Sequence, residues 1–298
     1  MTTPSQSAHE LLLAREYVHQ WTFSPSPVPR WRRGQVLEAV LRRSVRAPAS
    51  RVIKAAPTNG NMKWALYFAY LPLGGLSKSH EFTLRRLREQ SFSICVVAAV
   101  DDWSKVPASL HELADAIVWK GLAGYDFSAY KIGLDLLSRI AEGASVLVMN
   151  DSVAGPLVDL NPFMDALPWD LNGFSATGKI ENHIQSYAFV LKGLSRRRVR
   201  ALRTVLFPWF ACAARDDVIA CQETRLARVA AESMDVGSLW YSATSDVTQA
   251  APFELLDAGF PFLKHSLATE RSAFADKARV ISFISALENN TTQDIPHA

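Results

Sequence analysis

The sequence predicts an α/β protein with a mostly parallel, doubly wound sheet, helices on both faces and a mixed α+β C-terminal half. Between residues 63 and 150, short apolar runs alternate with longer amphipathic runs, which is the pattern of β-α-β units. The apolar runs contain few polar residues, as expected for parallel strands that are buried on both faces. Beyond residue 160 the alternation becomes less regular, so that half is expected to be mixed.

Composition narrows the class of protein. The chain has 298 residues, 49% of them hydrophobic and 20% charged, which is ordinary for a globular protein of one large or two small domains. A net charge of +3 is too small to indicate nucleic-acid binding. Three cysteines favour a reducing compartment over a disulfide framework. We find no signal-peptide pattern and no apolar run of the ~18 residues that cross a bilayer, so a cytoplasmic location is expected.

Three regions are expected along the chain: a helical N-terminal extension over 1–60, one α/β domain over 61–288, and a flexible tail over 289–298. The extension has two predicted helices, His9–Trp21 and the basic Trp31–Arg43, on either side of a proline-rich break. The second helix contains apolar residues at helical spacing among its arginines.

Apolar runs and turn residues define the elements of the domain. Strands are predicted at Trp64–Leu71, Phe92–Val100, Ala116–Trp119, Ala144–Met149, and over 170–176 and 184–191. Helices are predicted from Ser77, a favoured N-cap, to Gln90, then at Ser109–Leu113, Tyr125–Ala141, Arg196–Phe207 and Asp217–Glu232.

The main candidate site follows the strand Ala144–Met149, which delivers Asn150, Asp151 and Ser152 at its carboxyl end. Ligands of open α/β sheets bind just beyond the carboxyl ends of strands. A carboxylate in that place can hold a divalent metal, Mg²⁺ or Mn²⁺, that is bound to a diphosphate. The alternative is that Asp151 only caps the turn. A second acidic residue two positions away is absent, which makes the metal a weaker expectation than the site.

Other candidates for donor binding follow the first two strands or begin the helix at 125. They are Tyr70, Gly74, Gly75, Asp101, Tyr125, Asp126 and Lys131. Glycines allow backbone to approach a ligand closely, and a lysine can reach a phosphate. Each also has an ordinary structural explanation: a turn, a solvated side chain, or a carboxylate at a helix N-terminus.

In the second half, Glu223 is the candidate general base and His183 the candidate group that titrates near neutral pH. Asp170 and Gln185 are expected on the acceptor side. A buried structural histidine and a solvated helical glutamate are the respective alternatives.

Five blocks carry a resemblance to the rhamnan synthesis protein F family of polysaccharide glycosyltransferases. They are ALYFAY at 65–70 with Gly74-Gly75, GYDFSAYK at 124–131, MNDSVAGPL at 149–157, HIQSY at 183–187 and GFPFLK at 259–264. The chain departs from the family pattern at Phe127-Ser128, and again over 170–173, where Asp-Leu-Asn-Gly replaces Asp-Phe-Trp-Gly.

The resemblance implies a GT-A-like fold and transfer of a sugar, rhamnose or another deoxyhexose, from a nucleotide-sugar donor. The implied acceptor is a lipid-linked saccharide of a surface polysaccharide or lipopolysaccharide, presented at the inner face of the membrane. The basic segments 30–46 and 196–203 could rest on anionic lipid there. The alternative for these segments, favoured for the first, is a solvated helix face, and the apolar stripe of the second is more typical of packing on the domain core. The alternative is a catalytically inactive relative that binds nucleotide or glycan within an assembly complex.

Overall fold

The computed structural model describes residues 4–15, 17–57 and 60–289. The tail predicted to be flexible therefore lies outside the described residues from 290 onward. The strands are β1 (Val18–Thr22), β2 (Ser44–Arg46), β3 (Ser50–Lys54), β4 (Lys63–Tyr70), β5 (Ser93–Ala99), β6 (Ala116–Lys120), β7 (Ser145–Asn150), β8 (Val153–Ala154), β9 (Leu171–Thr177), β10 (His183–Ile184), β11 (Ala188–Leu191), β12 (Phe210–Cys212), β13 (Val236–Ser242) and β14 (Leu263–Lys264).

Twelve α-helices connect or flank these strands in the described part of the chain. They are α1 (Pro4–Ala14), α2 (Arg30–Arg42), α3 (Lys78–Glu89), α4 (Leu110–Leu113), α5 (Asp126–Ile140), α6 (Asn161–Ala166), α7 (Arg196–Ala201), α8 (Arg215–Val218), α9 (Thr224–Ala230), α10 (Val247–Ala250), α11 (Pro252–Asp257) and α12 (Lys277–Asn289). A π-helical segment, Ile219–Glu223, joins α8 to α9.

The main sheet has the order β1-β13-β9-β11-β7-β4-β5-β6-β3, with β10 added to β9. Strands β4, β5, β6, β7, β9 and β13 run in one direction, whereas β11 and the two edge strands run in the other. The predicted mostly parallel, doubly wound α/β sheet is therefore confirmed. Its carboxyl edge collects the ends of the six parallel strands.

Helices cover both faces because successive side chains of a strand point to opposite sides. On β4, Leu66 packs in the core with Leu134 and Leu137 of α5, whereas Tyr67 packs in the other core with Leu84 of α3. Helix α5 lies very close to the sheet, and a Cβ at Gly133 would come within 2.2 Å of Leu66 Cδ1. Glycine at this position is what permits the close contact.

The N-terminal segment is not only helical, and this prediction needs correction. Within the span His9–Trp21, α1 ends at Ala14 and β1 begins at Val18. β1 pairs with β13 at one edge of the sheet, and β3 pairs with β6 at the other. The strands that pair with β1 and β3 are distant in the sequence, so no local sequence pattern predicts β1 or β3. The division of the chain at residue 60 stays a prediction.

Three further elements differ from expectation. The helix expected over Arg196–Phe207 ends at Ala201 and continues as turns up to Pro208. The helix expected over Asp217–Glu232 is interrupted by the π-helical segment. Strand β13 was not predicted, because its Gly237 and two serines weaken the apolar pattern.

Candidate functional site

Asp151 lies at the carboxyl edge of the sheet, directly after β7. Its Oδ2 accepts the backbone N–H of Tyr70, at 2.6 Å, and its own N–H donates to the carbonyl of Phe68, at 3.1 Å. The carboxylate therefore ties the end of β7 to the end of β4. Its side chain remains 21% exposed, so the carboxylate is accessible in part from solvent.

His80 is a neighbour of Asp151 that sequence reasoning missed. Its Nε2 lies 3.3 Å from Asp151 Oδ2, and its Nδ1 lies 3.0 Å from the backbone nitrogen of Ser77. An N–H can only donate, so Nδ1 accepts and Nε2 carries the proton that points at Asp151. The signal was present as a serine N-cap followed three residues later by a side chain that bonds back to it.

Asp126 begins α5 and contacts Asn150. Asn150 Nδ2 donates to Asp126 Oδ2 at 2.9 Å, and Asp126 Oδ1 accepts the N–H of Phe127 at 2.9 Å. The amide oxygen of Asn150 accepts both the N–H and the hydroxyl of Ser152, at 3.0 and 2.5 Å. These hydrogen bonds link Asp126 to the turn that contains Asp151 through the side-chain amide of Asn150.

Glu223 approaches the same cluster from the π-helical segment. Its Oε2 accepts the hydroxyl and the N–H of Ser186, at 2.5 and 3.2 Å. The carbonyl of Ser186 accepts the hydroxyl of the buried Tyr130, at 2.9 Å. π-Helical turns occur frequently at functional sites, and here the extra residue in the turn accompanies the placement of Glu223 against the start of β11.

Two carboxylates therefore share a partly buried space. Burial, with the charge of Glu223 adding to it, raises the pKa of Asp126 to about 7. The ε-ammonium of Lys120, a buried residue that was not predicted, donates to the carbonyl of Ala123 at 3.1 Å, and burial lowers its pKa to about 8. Perturbed groups of this kind cluster at functional sites.

Replacing Asp126 by Asn is expected to stabilise the protein increasingly as pH rises. The pKa of Asp126 is raised on folding, so its contribution to stability is present below the unfolded pKa of 3.8 and is lost as pH rises through about 7. The amide introduced by Asp126→Asn does not titrate, and the difference in melting temperature between the variant and the parent should grow between about pH 4 and about pH 8. Parallel melting curves for the two proteins would contradict the raised pKa.

Asp101→Asn is the control for this experiment. Asp101 bonds to Lys105 at 2.6 Å, which lowers its pKa, so the sign of any pH dependence should be the opposite.

Gln185 lies in a polar network at the same edge. Its Nε2 donates to Asp246 Oδ2 at 2.7 Å, and its Oε1 accepts the Ser175 hydroxyl at 2.6 Å. Lys264 bonds to the same oxygen of Asp246 at 2.9 Å. Burial acts to raise the pKa of Asp246, but the Lys264 ammonium and the hydrogen bonds hold it below its usual value. Gln185 thus has its amide engaged within the fold, and Asp246 is a neighbour that was not predicted.

The remaining candidates differ in where they lie. His183 is buried, and its Nδ1 lies 2.7 Å from the carbonyl of Glu181, so Nδ1 carries the proton. Tyr70 and Tyr125 are 50% and 41% exposed and flank the cluster along the chain. Gly74 closes a turn onto Leu71, with Gly75 next to it.

Two candidates are not brought to the cluster. Asp170 precedes β9 and therefore lies at the opposite, amino edge of the sheet, where it pairs with Arg198 at 2.6 Å. Its expected place on the acceptor side needs correction, because β9 runs parallel to β7. Lys131 pairs with Asp135 one turn along α5 and lines an outer groove with arginines of α7.

The side chains near Asp151 do not form a metal site made by protein ligands alone. Among the residues that the structure describes, no three His, Cys, Asp or Glu side chains come together to hold an ion. One oxygen of Asp151 is already engaged by two N–H groups. A divalent cation on Asp151 stays a prediction.

No helix within the described ranges is both long enough and apolar enough to span a bilayer.

The family model described as rhamnan synthesis protein F matches residues 101–265, which includes four of the five sequence blocks. No curated protein matches the chain.

Solved structures resemble the chain distantly. HddC from Yersinia pseudotuberculosis is 11% identical with a TM-score of 0.36 and covers 66% of this chain and 98% of its own. A 4-diphosphocytidyl-2C-methyl-D-erythritol synthase from Anaerococcus prevotii is 13% identical with a TM-score of 0.40, covering 69% and 99%. The inositol-1-phosphate CTP transferase from T. maritima is 8% identical with a TM-score of 0.38, covering 67% and 97%.

The fold assignment rests on the strand order rather than on these distant likenesses. The family match spans more than half of the chain and contains Asp126, Asn150, Asp151, Ser186 and Glu223. The chain therefore belongs to the rhamnan synthesis protein F family.

Proposed function

We propose that the protein is a glycosyltransferase that moves a sugar, rhamnose or another deoxyhexose, from a nucleotide-sugar donor to a saccharide acceptor. The observation that carries the proposal is the convergence of Asp151, Asp126 and Glu223 at the carboxyl edge of the sheet. This edge is where open α/β sheets bind ligands. Family membership supports the same substrate class, since the family name refers to synthesis of a polysaccharide.

The transfer requires two things of the site. The acceptor hydroxyl must lose its proton as its oxygen bonds to the anomeric carbon, and the bond from that carbon to the diphosphate must break. Glu223 is the proposed base, and the Ser186 N–H and hydroxyl hold its Oε2 in place. Asp151, fixed by Tyr70 and His80, is proposed to position the donor.

Asp126 is proposed to act through Asn150 rather than on the substrate. When ionised, it accepts the Asn150 amide, whose other end holds the Ser152 turn. Protonation near pH 7 removes the negative charge of this acceptor, which weakens its hold on the Asn150 amide. The donor site is therefore proposed to be best ordered above the pKa of Asp126.

The proposed acceptor is a lipid-linked saccharide at the inner face of the cell membrane, with the protein in the cytoplasm and in peripheral contact with anionic lipid. Nucleic acid is not proposed as a partner. The polar cluster of Gln185, Asp246 and Lys264 is the structural support for an acceptor side adjacent to Glu223, since HIQSY carries both Gln185 and Ser186.

The alternative of an inactive binding relative rested on the sequence departure over 170–173. Asn172, the central residue of that departure, is fully buried and bonds to the Trp169 carbonyl at 2.6 Å and to its N–H at 3.2 Å. It therefore stabilises the amino end of β9, away from Asp151. The departure is a change of packing, which favours the enzyme over the inactive relative.

Incubation with a panel of nucleotide sugars tests the proposal. We expect one donor to be hydrolysed slowly without acceptor, because water can take the place of the acceptor hydroxyl, and release of free nucleoside diphosphate is the measurement. Nucleotide binding in calorimetry without hydrolysis of any donor would instead support the binding relative. Hydrolysis that is equal in the parent and in Asp151→Asn would reject the site.

A further inference from the structure

The outward side of α2 exposes three large apolar residues, of which Trp31 contacts the Arg32 guanidinium, 5.7 Å from the centre of its ring. Trp31, Leu37 and Leu41 are 62%, 59% and 72% exposed. At about 100° per residue, Leu37 and Leu41 are about 40° apart around the helix, and Trp31, in the first turn, is about 80° from Leu41. Single exposed apolar residues are common, but three on one helix face indicate an interaction surface. We call these three residues the α2 outer face.

Unpaired arginines border the α2 outer face. Arg30, Arg33 and Arg42 are exposed, and none of them is within ion-pair distance of an acidic group in the residues that the structure describes. Glu38, an acidic residue of the same helix, is 3.7 Å from Arg43. Around the helix the exposed Glu38 lies between Leu41 and Trp31, but the unpaired arginines outnumber it. The surface therefore combines apolar residues with net positive charge, which complements an anionic lipid surface.

The opposite side of α2 is held firmly, so the apolar residues cannot rotate inward. Arg32 is buried and donates to Thr224 Oγ1 at 3.0 Å and to Gln35 at 2.7 Å. Arg43 pairs with Asp217 at 2.7 Å. Ala39 is buried in the core between them. The exposure of the α2 outer face is thus a fixed feature of the fold.

A second exposed indole adjoins the end of this segment. The N–H of Ala47 donates to the carbonyl of Trp209 at 2.9 Å, and β12 pairs with β2. Trp209 is 80% exposed and Val45 is 37% exposed. Tryptophan is enriched where a protein meets the interface of a bilayer, because the ring is apolar and its N–H is polar.

We propose that the α2 outer face docks on the surface of an anionic lipid bilayer, with Trp31, Leu37 and Leu41 entering the headgroup region and Arg30, Arg33 and Arg42 facing anionic headgroups. Docking would bring the protein to the bilayer in which the proposed lipid-linked acceptor lies. Only this link to the acceptor rests on the proposed function. The binding itself follows from the surface alone.

The other basic segment, α7, has no large exposed apolar residues like those of the α2 outer face. Val199, Leu202 and Val205 are buried in the core, and Arg198 is engaged by Asp170. Arg196 and Arg200 line a groove together with the buried Val199 and with Pro208. The expectation from the sequence that 196–203 rests on the membrane is therefore redirected to α2.

Docking at α2 would place the bilayer next to the segment that holds Glu223. Arg32 of α2 bonds to Thr224, the residue after Glu223, and Cys221 Sγ lies 3.9 Å from the carbonyl of Val36. The inner side of the docking helix is thus in contact with the π-helical segment.

Sedimentation with lipid vesicles tests the docking. We expect the protein to bind vesicles containing phosphatidylglycerol and to bind pure phosphatidylcholine vesicles weakly. The double variant Leu37→Glu/Leu41→Glu should reduce binding to the anionic vesicles at least tenfold. Arg30→Gln/Arg33→Gln should remove the part of the binding that falls with salt, since the Debye length shortens to about 8 Å at physiological ionic strength.

The matched control is Val52→Glu/Ile281→Glu, which places the same charges at apolar residues that are 48% and 52% exposed on other elements. It should bind vesicles like the parent. Thermal unfolding must show that the α2 variant is folded, which we expect because both side chains are exposed. Donor hydrolysis measured without vesicles separates failure of the docking from failure of the proposed function.

Three outcomes would overturn the proposal. The first is unchanged binding by Leu37→Glu/Leu41→Glu. The second is complete loss of binding in Arg196→Gln/Arg200→Gln, which would assign the contact to α7. The third is a dimer in light scattering that Leu37→Glu/Leu41→Glu converts to a monomer, which would show that a second copy of the chain covers the face.

Discussion

Replacing Asp151 by Asn is expected to reduce donor hydrolysis at least about 100-fold, the scale seen when one preorganised polar group is removed from an active site. The substitution keeps the shape and one acceptor oxygen, so the N–H of Tyr70 retains a partner. What is lost is the negative charge at the carboxyl edge of β4 and β7. Steady-state rates of nucleoside diphosphate release give the measurement, and the melting temperature should change little.

Asp115→Asn is the matched control for Asp151→Asn. Asp115 also accepts a backbone N–H of a parallel strand, from Ile94 at 2.7 Å, and also pairs with a cation, Arg88 at 3.0 Å. It lies at the amino edge of β5, the opposite side of the sheet. Asp115→Asn should lower the melting temperature without changing the rate. Equal loss of rate in both variants would mean that Asp151 acts only through the stability of the sheet.

The central strands were predictable because each is a continuous run of apolar residues in the sequence. β4, β5, β6 and β7 lie within one or two residues of the predicted ends, since strands covered on both faces need continuous apolar runs. β1 and β3 were not predictable, because an edge strand is defined by a partner far away in the chain. The predicted helical extension therefore contains the expected basic helix as α2, but β1 and β3 stand where no strand was predicted.

The candidate site divides in the same way. The places of Asp151 and Asp126 in the fold were predictable because the end of a strand and the start of a helix are local features. Lys120 could not, since its apolar surroundings arise only when β6 packs beneath Phe68, whose ring lies 5.4 Å from its ammonium. Asp170 was misplaced because the sequence does not tell which end of β9 meets the site. That depends on the sheet order.

Glu223→Gln is the second variant with a large expected effect. If Glu223 takes the proton of the acceptor hydroxyl, the amide that replaces it cannot, and kcat should fall by about 10²- to 10⁴-fold. KM for the donor should change little, because the donor is proposed to bind at Asp151. The Ser186 hydroxyl can still donate to the amide oxygen of the introduced glutamine, so the π-helical segment should keep its position.

The pH dependence of donor hydrolysis by Glu223→Gln gives a second measurement. It should not change if the role of Glu223 is purely structural. Burial and then the charge of Glu223 raise the pKa of Asp126 to about 7. Removing that charge should shift the acidic limb of donor hydrolysis to lower pH, even though the remaining rate is small. Asp126→Asn should abolish the limb altogether.

Glu232→Gln controls for loss of a carboxylate from the same region. Glu232 is exposed and follows α9, so its replacement should leave both the rate and the acidic limb unchanged. If Glu223→Gln retained the full rate of transfer, the acceptor would have to lose its proton to another group. Asp126 would then be the next residue to test, because a carboxyl whose pKa lies near 7 exchanges a proton readily at neutral pH.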